Sequence, residues 1–201
     1  MNEVSTMSPH QLSRKDLWSL EEYAEKRPEF RNQVMEHKKN RQVALGPNAT
    51  LYFEDRLTIQ YQIQEMLRIE KVFEAEGIED ELEAYNPLIP DGRNWKATFM
   101  IEYPDLEVRD AQLRKMIGIE DLVWVQVDGF DKVWAIPDED LERTSDEKTS
   151  SVHFMRFELS DEMVEALKKG AGLTIGVEHS IYTYSNQVDE ATRQSLVNDL
   201  D

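Results

Sequence analysis

The stretch from Glu54 to Phe73, EDRLTIQYQIQEMLRIEKVF, constrains this chain more than any other. At about 100° per residue, Ile59, Ile63, Met66, Ile69 and Phe73 share one face, so the spacing predicts one long central helix with a core-facing stripe. Gln62 and Glu70 fall inside the same arc, where burial would demand a partner for each. Arg56, Gln60, Gln64 and Arg68 follow one another at i, i+4 spacing and form a polar row beside the stripe, with Glu54, Tyr61 and Glu65 along a neighbouring edge.

The segments around this helix supply strands and further helices. Ser13 with Asp16 resembles a capping box and predicts a helix carrying Leu17, Leu20, Tyr23 and Ala24 to about Lys26. Pro28 then opens a second helix through Phe30, Val34 and His37 toward Asn40. Gln42–Leu45 and Thr50–Phe53 flank the turn signal Gly46-Pro47-Asn48 and read as a hairpin. After Gly77 a short acidic helix should end near Asn86-Pro87. Trp95, Ala97, Phe99, Ile101 and Tyr103 alternate with polar neighbours as a half-buried strand, and a helix follows from Asp105 to Ile117, stopped by Gly118. Leu122–Val127 and Asp131–Ile136 flank Asp128-Gly129, and a three-residue loop would set Trp124 opposite Trp134. Pro137–Ser150 is charged, nearly devoid of apolar residues, and reads as a mobile surface loop. His153, Met155, Phe157 and Leu159 share one face of the next strand; Ser160 caps a helix that ends at Gly170, and Leu173–Val177 supplies a last strand.

The fold class that follows is α+β, a single domain with a mostly antiparallel sheet and helices packed on one side. Its expected limits are residues 12–180, with a flexible N-terminus at 1–11 and a polar tail at 181–201, which has a weak helical pattern from Val188 to Leu200.

Composition narrows the function classes. Lys and Arg number 23 against 41 Asp and Glu, a net charge of -18, so the overall field repels a nucleic-acid backbone. The same field would steer a cationic partner, or be merely a solvated surface. The chain has no cysteine, which removes disulfides, thiolate catalysis and a cysteine-held iron–sulfur cluster. The polar start MNEVSTMSPHQLSR has no apolar leader core, and no uncharged run of about 18 apolar residues occurs, so a cytoplasmic protein with no membrane span is expected.

The chemistry-bearing residues are few. Glu54, Glu65 and Glu70 with His37 invite comparison with di-iron bundles, but those sites need Glu-x-x-His, and Glu65 is followed by Arg68, which repels a cation. No metal, no cofactor and no catalytic residue is assigned. The candidate binding residues are Arg56, Gln60, Gln64, Glu65, Arg68 and Glu70, whose guanidinium and amide groups together offer forked donors for an anion or a partner backbone. Lys38, Lys39 and Arg41, from the basic cluster HKKNR, join them. That cluster could meet an acidic partner, or serve as a last helical turn favoured by the helix dipole. Glu70, if buried, would be a proton donor or half of an ion pair. His153 reads as a core histidine, His10 and His179 belong to no triad pattern, and Trp95, Trp124 and Trp134 read as core or edge cover that could also line a pocket. Phosphate-binding, dinucleotide-binding and G-x-S-x-G motifs are absent.

The segments HKKNRQVALGPNATLYFEDRLTIQYQIQEMLRIE, NPLIPDGRNWKATFMIEYPD, MIGIEDLVWVQV and KTSSVHFMRFEL together resemble an uncharacterised bacterial family, domain-of-unknown-function family three-five-zero-one. The likeness spans roughly Leu17 to Val177 and carries no catalytic or binding residue with it. What the resemblance implies is company: such proteins are often encoded beside rubrerythrin-like proteins and iron–sulfur subunits resembling heterodisulfide reductases, hence peroxide defence or thiol redox metabolism. Two functions follow as expectations. One is an accessory or interaction protein of such a redox system, docking a rubrerythrin-like or iron–sulfur reductase-like partner. The other is a binder of a small anionic ligand, or an enzyme, with a Glu/Arg-lined pocket between the central helix and the tryptophan-bearing sheet.

Overall fold

The computed structural model describes residues 10–201, so the expectation of a flexible N-terminus falls almost wholly outside the described residues. Alternating burial builds two antiparallel sheets. In the first, β1 (Gln42–Ala44), β2 (Ala49–Glu54), β3 (Asn94–Ile101), β7 (Val152–Glu158) and β6 (Ile136–Pro137) lie side by side in that order. In the second, the order is β5 (Val133–Trp134), β4 (Val123–Val127), β8 (Leu173–His179) and β9 (Tyr182–Gln187).

One core joins them. Leu51, Phe53, Trp95, Ala97, Phe99, Met155 and Phe157 from the first sheet belong to the same buried cluster as Val123, Val125, Val127, Leu173, Ile175 and Val177 from the second. Helices α4 (Leu106–Lys115), α5 (Asp161–Lys168) and α6 (Glu190–Val197) add Leu113, Val164, Leu167 and Leu196 to that cluster. Trp95 is fully buried and its indole N–H donates to the Leu196 carbonyl at 2.9 Å, so the last helix is held to the middle of the first sheet. The expected α+β class holds, with the sheet divided in two. The expected pairing of Trp124 with Trp134 is also found.

The segment expected as a polar tail supplies β9 and α6. The Tyr182 hydroxyl donates to the Leu45 carbonyl at 2.6 Å and accepts from the Asn48 N–H at 2.9 Å. Tyr184 lies so close to Gly46, at φ 74°, that a Cβ there would meet its ring at 2.6 Å. The charged segment expected as a mobile loop is likewise tied down. Asp138 bonds His153 at 2.6 Å, and the buried Glu120 accepts from Thr149 at 3.0 Å and from Thr144. A run nearly devoid of apolar residues is anchored here by polar groups, which a hydrophobic pattern does not register.

The other face of the first sheet is covered by α1 (Leu20–Lys38), α2 (Arg56–Glu70) and α3 (Ala75–Tyr85). The expected pair of helices split at Pro28 is a single one. The Ser13–Asp16 box closes only a 3₁₀ turn, and α1 starts at a second box, Ser19 with Glu22. Pro28 is tolerated inside α1 because it and Ala24 are exposed, so the carbonyl that loses its donor faces water. Tyr23, Phe30 and Val34 are buried on either side of it, with Phe30 edge-on to Trp18 at 4.9 Å.

The stretch read as the long central helix is α2, of 15 residues, shorter than α1 at 19. Asp55 caps it by accepting from the Thr58 N–H at 2.9 Å, and Lys71 ends it in the left-handed region at φ 57°. Its buried face is Thr58, Ile59, Ile63, Gln64 and Leu67. Met66 is only half-buried, while Ile69 and Phe73, expected in the stripe, are 61% and 73% exposed. The helix is rotated toward the segment before α1, where Gln64 finds backbone partners that the apolar pattern could not anticipate.

Candidate functional site

The polar row of α2 meets the chain's own residues 12–18. Arg56 donates to the Asp16 carboxylate at 2.6 Å, and the Gln60 amide donates to the Asp16 carbonyl at 2.6 Å. Fully buried Gln64 takes the Trp18 N–H at 2.7 Å and gives a weaker bond to the Trp18 carbonyl at 3.3 Å. Asn86, at the end of α3, does the same for Leu12, at 2.8 and 2.9 Å. Two side-chain amides thus bind the backbone N–H and C=O of two residues, in the forked manner of a neighbouring strand, and Leu12 is pressed into the Ile59, Ile63 and Leu67 cluster.

Glu65 faces α1. It accepts from Arg27 at 2.7 and 2.9 Å, from the Tyr23 hydroxyl at 2.7 Å, and from Arg68 at 3.2 and 3.4 Å. The Arg27 bonds, with help from Tyr23 and Arg68 and against burial, hold its carboxyl down to about 2, a group kept ionised and engaged. Burial and the Glu65 carboxylate push the Tyr23 phenol up. Glu70 is exposed, so the burial that would have made it a proton donor is not present.

Between α1–α3 and the outer face of the first sheet lies a cleft of about 530 Å³. Its floor is the half-buried face of the strands, Tyr52 and Glu54 from β2, Thr98 and Met100 from β3, and Phe154 from β7. Its roof is Met35, Lys38 and Lys39 at the end of α1, Ile59 and Gln62 of α2, then Tyr85 and Leu88. Glu54 is engaged, accepting from Thr98 at 2.9 Å and Thr58 at 2.6 Å, and Lys39 pairs with Glu36 at 2.7 Å. Lys38, Gln42, Tyr52, Gln62 and Tyr85 have no side-chain hydrogen bond or ion pair among the described residues. This cleft lies between a helix layer and a sheet, but it is not the Glu/Arg-lined pocket against the tryptophans that the sequence led us to expect. Arg56, Glu65, Arg68 and Glu70 do not line it, and Trp95, Trp124 and Trp134 point to the inner core or the second sheet.

A second cleft, about 330 Å³, opens on the far side of the Glu54-Asp55 junction. His37 Nε2 meets Asp55 at 2.5 Å, and Arg41, 2% exposed despite its place in the basic cluster, stands 3.4 Å from Asp55 and 2.6 Å from Asp199. The other Arg41 N–H groups go to the Phe53 and Glu54 carbonyls and to Ser195, each within 3.1–3.3 Å. Burial by itself would raise Asp55, but Arg41, the Thr58 N–H and His37 together hold it below its ordinary value. Burial prevails at Asp199, which is pushed up to about 6 against the pull of Arg41.

Of the predicted binding residues, Lys38 and Lys39 line the first cleft and Arg41 and Arg56 the second; Gln62, expected in the buried arc of the stripe, also lines the first. Gln60, Gln64 and Glu65 are drawn into contacts between segments, while Arg68 pairs only with Glu65, one turn away on the same helix, and Glu70 is exposed. Sequence reasoning missed Asp55, for which the D-x-x-T spacing to Thr58 was a usable signal. It also missed Tyr52, Thr98 and Met100, whose alternation within strands marked a second, half-polar face. Asp199 has no local signal, because its partner is 158 residues away.

These features define an α+β protein with a helical cap over one sheet face and two clefts beneath and beside the cap. The chain belongs to the family of proteins of unknown function DUF3501, whose model matches residues 11–200. It is similar to a crystal structure described as a novel protein of unknown function from Burkholderia pseudomallei K96243. That protein is 49% identical, with a TM-score of 0.90, covering 97% of this chain and all of the other. No curated protein matches this chain. No described helix is long and apolar enough to cross a membrane.

Proposed function

We propose that this protein binds a small amphipathic organic molecule with an anionic end in the cleft between α1–α3 and the first sheet. The observation that carries this reading is the convergence of five polar side chains without partners among the described residues, Lys38, Gln42, Tyr52, Gln62 and Tyr85, on walls formed by Met35, Ile59, Leu88, Met100 and Phe154. Apolar walls with a few unengaged polar groups are what a small-molecule site requires. Lys38 sets the sign of the ligand charge, since Lys39 already has Glu36 and Glu54 is held by two hydroxyls.

The reading as an interaction protein of a redox or peroxide-defence system rests on the company kept by the family. The polar row that would have been its docking surface is taken up by residues 12–18, Arg27 and Tyr23.

Titration with anilinonaphthalene sulfonate, an aromatic pair bearing one sulfonate, tests the proposal. One probe should bind per chain, Lys38→Glu should weaken it, and Met100→Trp should abolish it by filling the cleft while the melting transition is kept. Unchanged probe binding in Met100→Trp would refute the reading.

A further inference from the structure

The second cleft holds a His–Asp pair that takes no part in the ligand cleft; Asp55 caps α2 through one oxygen and meets His37 through the other. His37, on the last turn of α1, presents Nε2 to Asp55 at 2.5 Å, and its Nδ1 makes no hydrogen bond among the described residues. The ring is part-exposed and lines the cleft, with its side chain 31% accessible. A carboxylate on one nitrogen fixes the tautomer and the ring plane and leaves the other nitrogen as a proton acceptor. Asp55 is itself fixed from two further sides, by the Thr58 N–H at 2.9 Å and by the buried Arg41 guanidinium, which Asp199 holds in place.

We propose that this cleft is a general-base hydrolytic site for a small neutral acyl ester, with His37 as the catalytic residue and Asp55 and Arg41 as positioning residues. His37 Nδ1 takes a proton from water as the water oxygen bonds to the acyl carbon. The acyl C–O bond then breaks, the imidazolium returns that proton to the leaving oxygen, and the ring regains its starting state. The products are an alcohol and a carboxylic acid, which loses its proton to solvent.

The walls select the substrate class. Leu57, Ile89 and Pro90 give an apolar side for an acyl or alkyl group. A phosphoester is disfavoured because Arg41, the guanidinium beside the dyad, has its N–H groups on internal acceptors, and Asp55, Asp199 and Asp201 all line the cleft. The remaining ionisable groups facing it are His10, beside Asp201 at 3.4 Å, and Arg56, engaged by Asp16.

Hydrolysis of p-nitrophenyl acetate by the full chain, followed by nitrophenolate release, tests the proposal. The wild type should show saturating turnover faster than free imidazole at equal concentration. His37→Ala should lose roughly a hundredfold in kcat and regain turnover on addition of imidazole, since a positioned general base contributes on that scale. Asp55→Asn, which keeps an oxygen for the Thr58 N–H, should lower kcat with KM and the melting transition both nearly unchanged, whereas loss of folding would lower the melting transition. Asn198→Trp, a change at an exposed position on the cleft wall, should raise KM or abolish turnover without altering the melting transition. Turnover no faster than imidazole, His37→Ala as active as wild type, or no effect of Asn198→Trp would each overturn the assignment. The outcome is independent of the sulfonate probe, which reports on the other cleft.

Discussion

Gln62 and Gln64 stand two residues apart on α2 with the same side-chain amide. Gln64 is fully buried and joins both peptide groups of Trp18, whereas Gln62 is half-buried and faces the cleft with no partner among the described residues. The same contrast runs along both sides of the helix. On one side Arg56, Gln60, Gln64 and Glu65 complete hydrogen bonds that hold residues 12–18 and α1; on the other, polar groups of α1, α2 and the sheet surround an open space. A polar residue beside an apolar stripe therefore has two physical outcomes, a closed internal contact that stabilises the fold or an open one available to a ligand. Chemistry alone does not separate them.

Substitutions on the two sides should separate stability from binding. The largest loss is expected for Gln64→Leu, which leaves the Trp18 N–H and carbonyl without partners. Unfolding by urea should show a decrease of about 3 kcal/mol, the scale for two part-buried polar groups left unsatisfied. Glu65→Gln should cost about 2 kcal/mol at neutral pH, because the guanidinium of Arg27 loses its carboxylate counter-charge and one of its two acceptor oxygens becomes an NH2 that cannot accept.

The Glu65 effect has a defined pH window. The folded carboxyl lies at about 2, below its ordinary 4.5, so the stability it contributes is complete above about 4.5 and is lost as pH falls through 2. Wild type and Glu65→Gln should accordingly converge in stability in strong acid, as measured by denaturant midpoints along a pH series. Asn86→Ala, which removes the fork on Leu12, should cost about 1.5 kcal/mol and speed hydrogen exchange at the Leu12 amide. Gln62→Ala should change stability by no more than about 0.5 kcal/mol, the range for a side chain that completes no internal contact.

The strands were the most legible part of the sequence, because a half-buried sheet imposes a period of two on side-chain polarity. The alternation of β3 and β7 and the pairing of Trp124 with Trp134 could be read that way. The face of α2 was harder. Its apolar stripe predicted Ile69 and Phe73 inside, but Lys71 turns left-handed and ends the helix before Phe73, and Gln64 is admitted to the buried face by a partner 46 residues away. Pro28 illustrates the opposite error, a local stop signal overridden because its neighbours face water. The first cleft was not read from the sequence: Gln62 was placed in the helix's buried arc and Lys38 in a basic cluster, and the floor required knowing which face of β2, β3 and β7 the helices cover. The second cleft depends on Arg41 meeting Asp199 across the whole chain; the basic cluster marked Arg41 but not its burial, and Asp199 carries no mark in its local sequence.

The central claim, that the two sides of α2 divide holding from binding, is tested most directly by titrating the anilinonaphthalene probe into Gln62→Ala and comparing its urea midpoint with wild type. The account predicts an unchanged midpoint and weaker probe binding, by about tenfold for the loss of one buried amide contact. A lowered midpoint with unchanged probe affinity would contradict it.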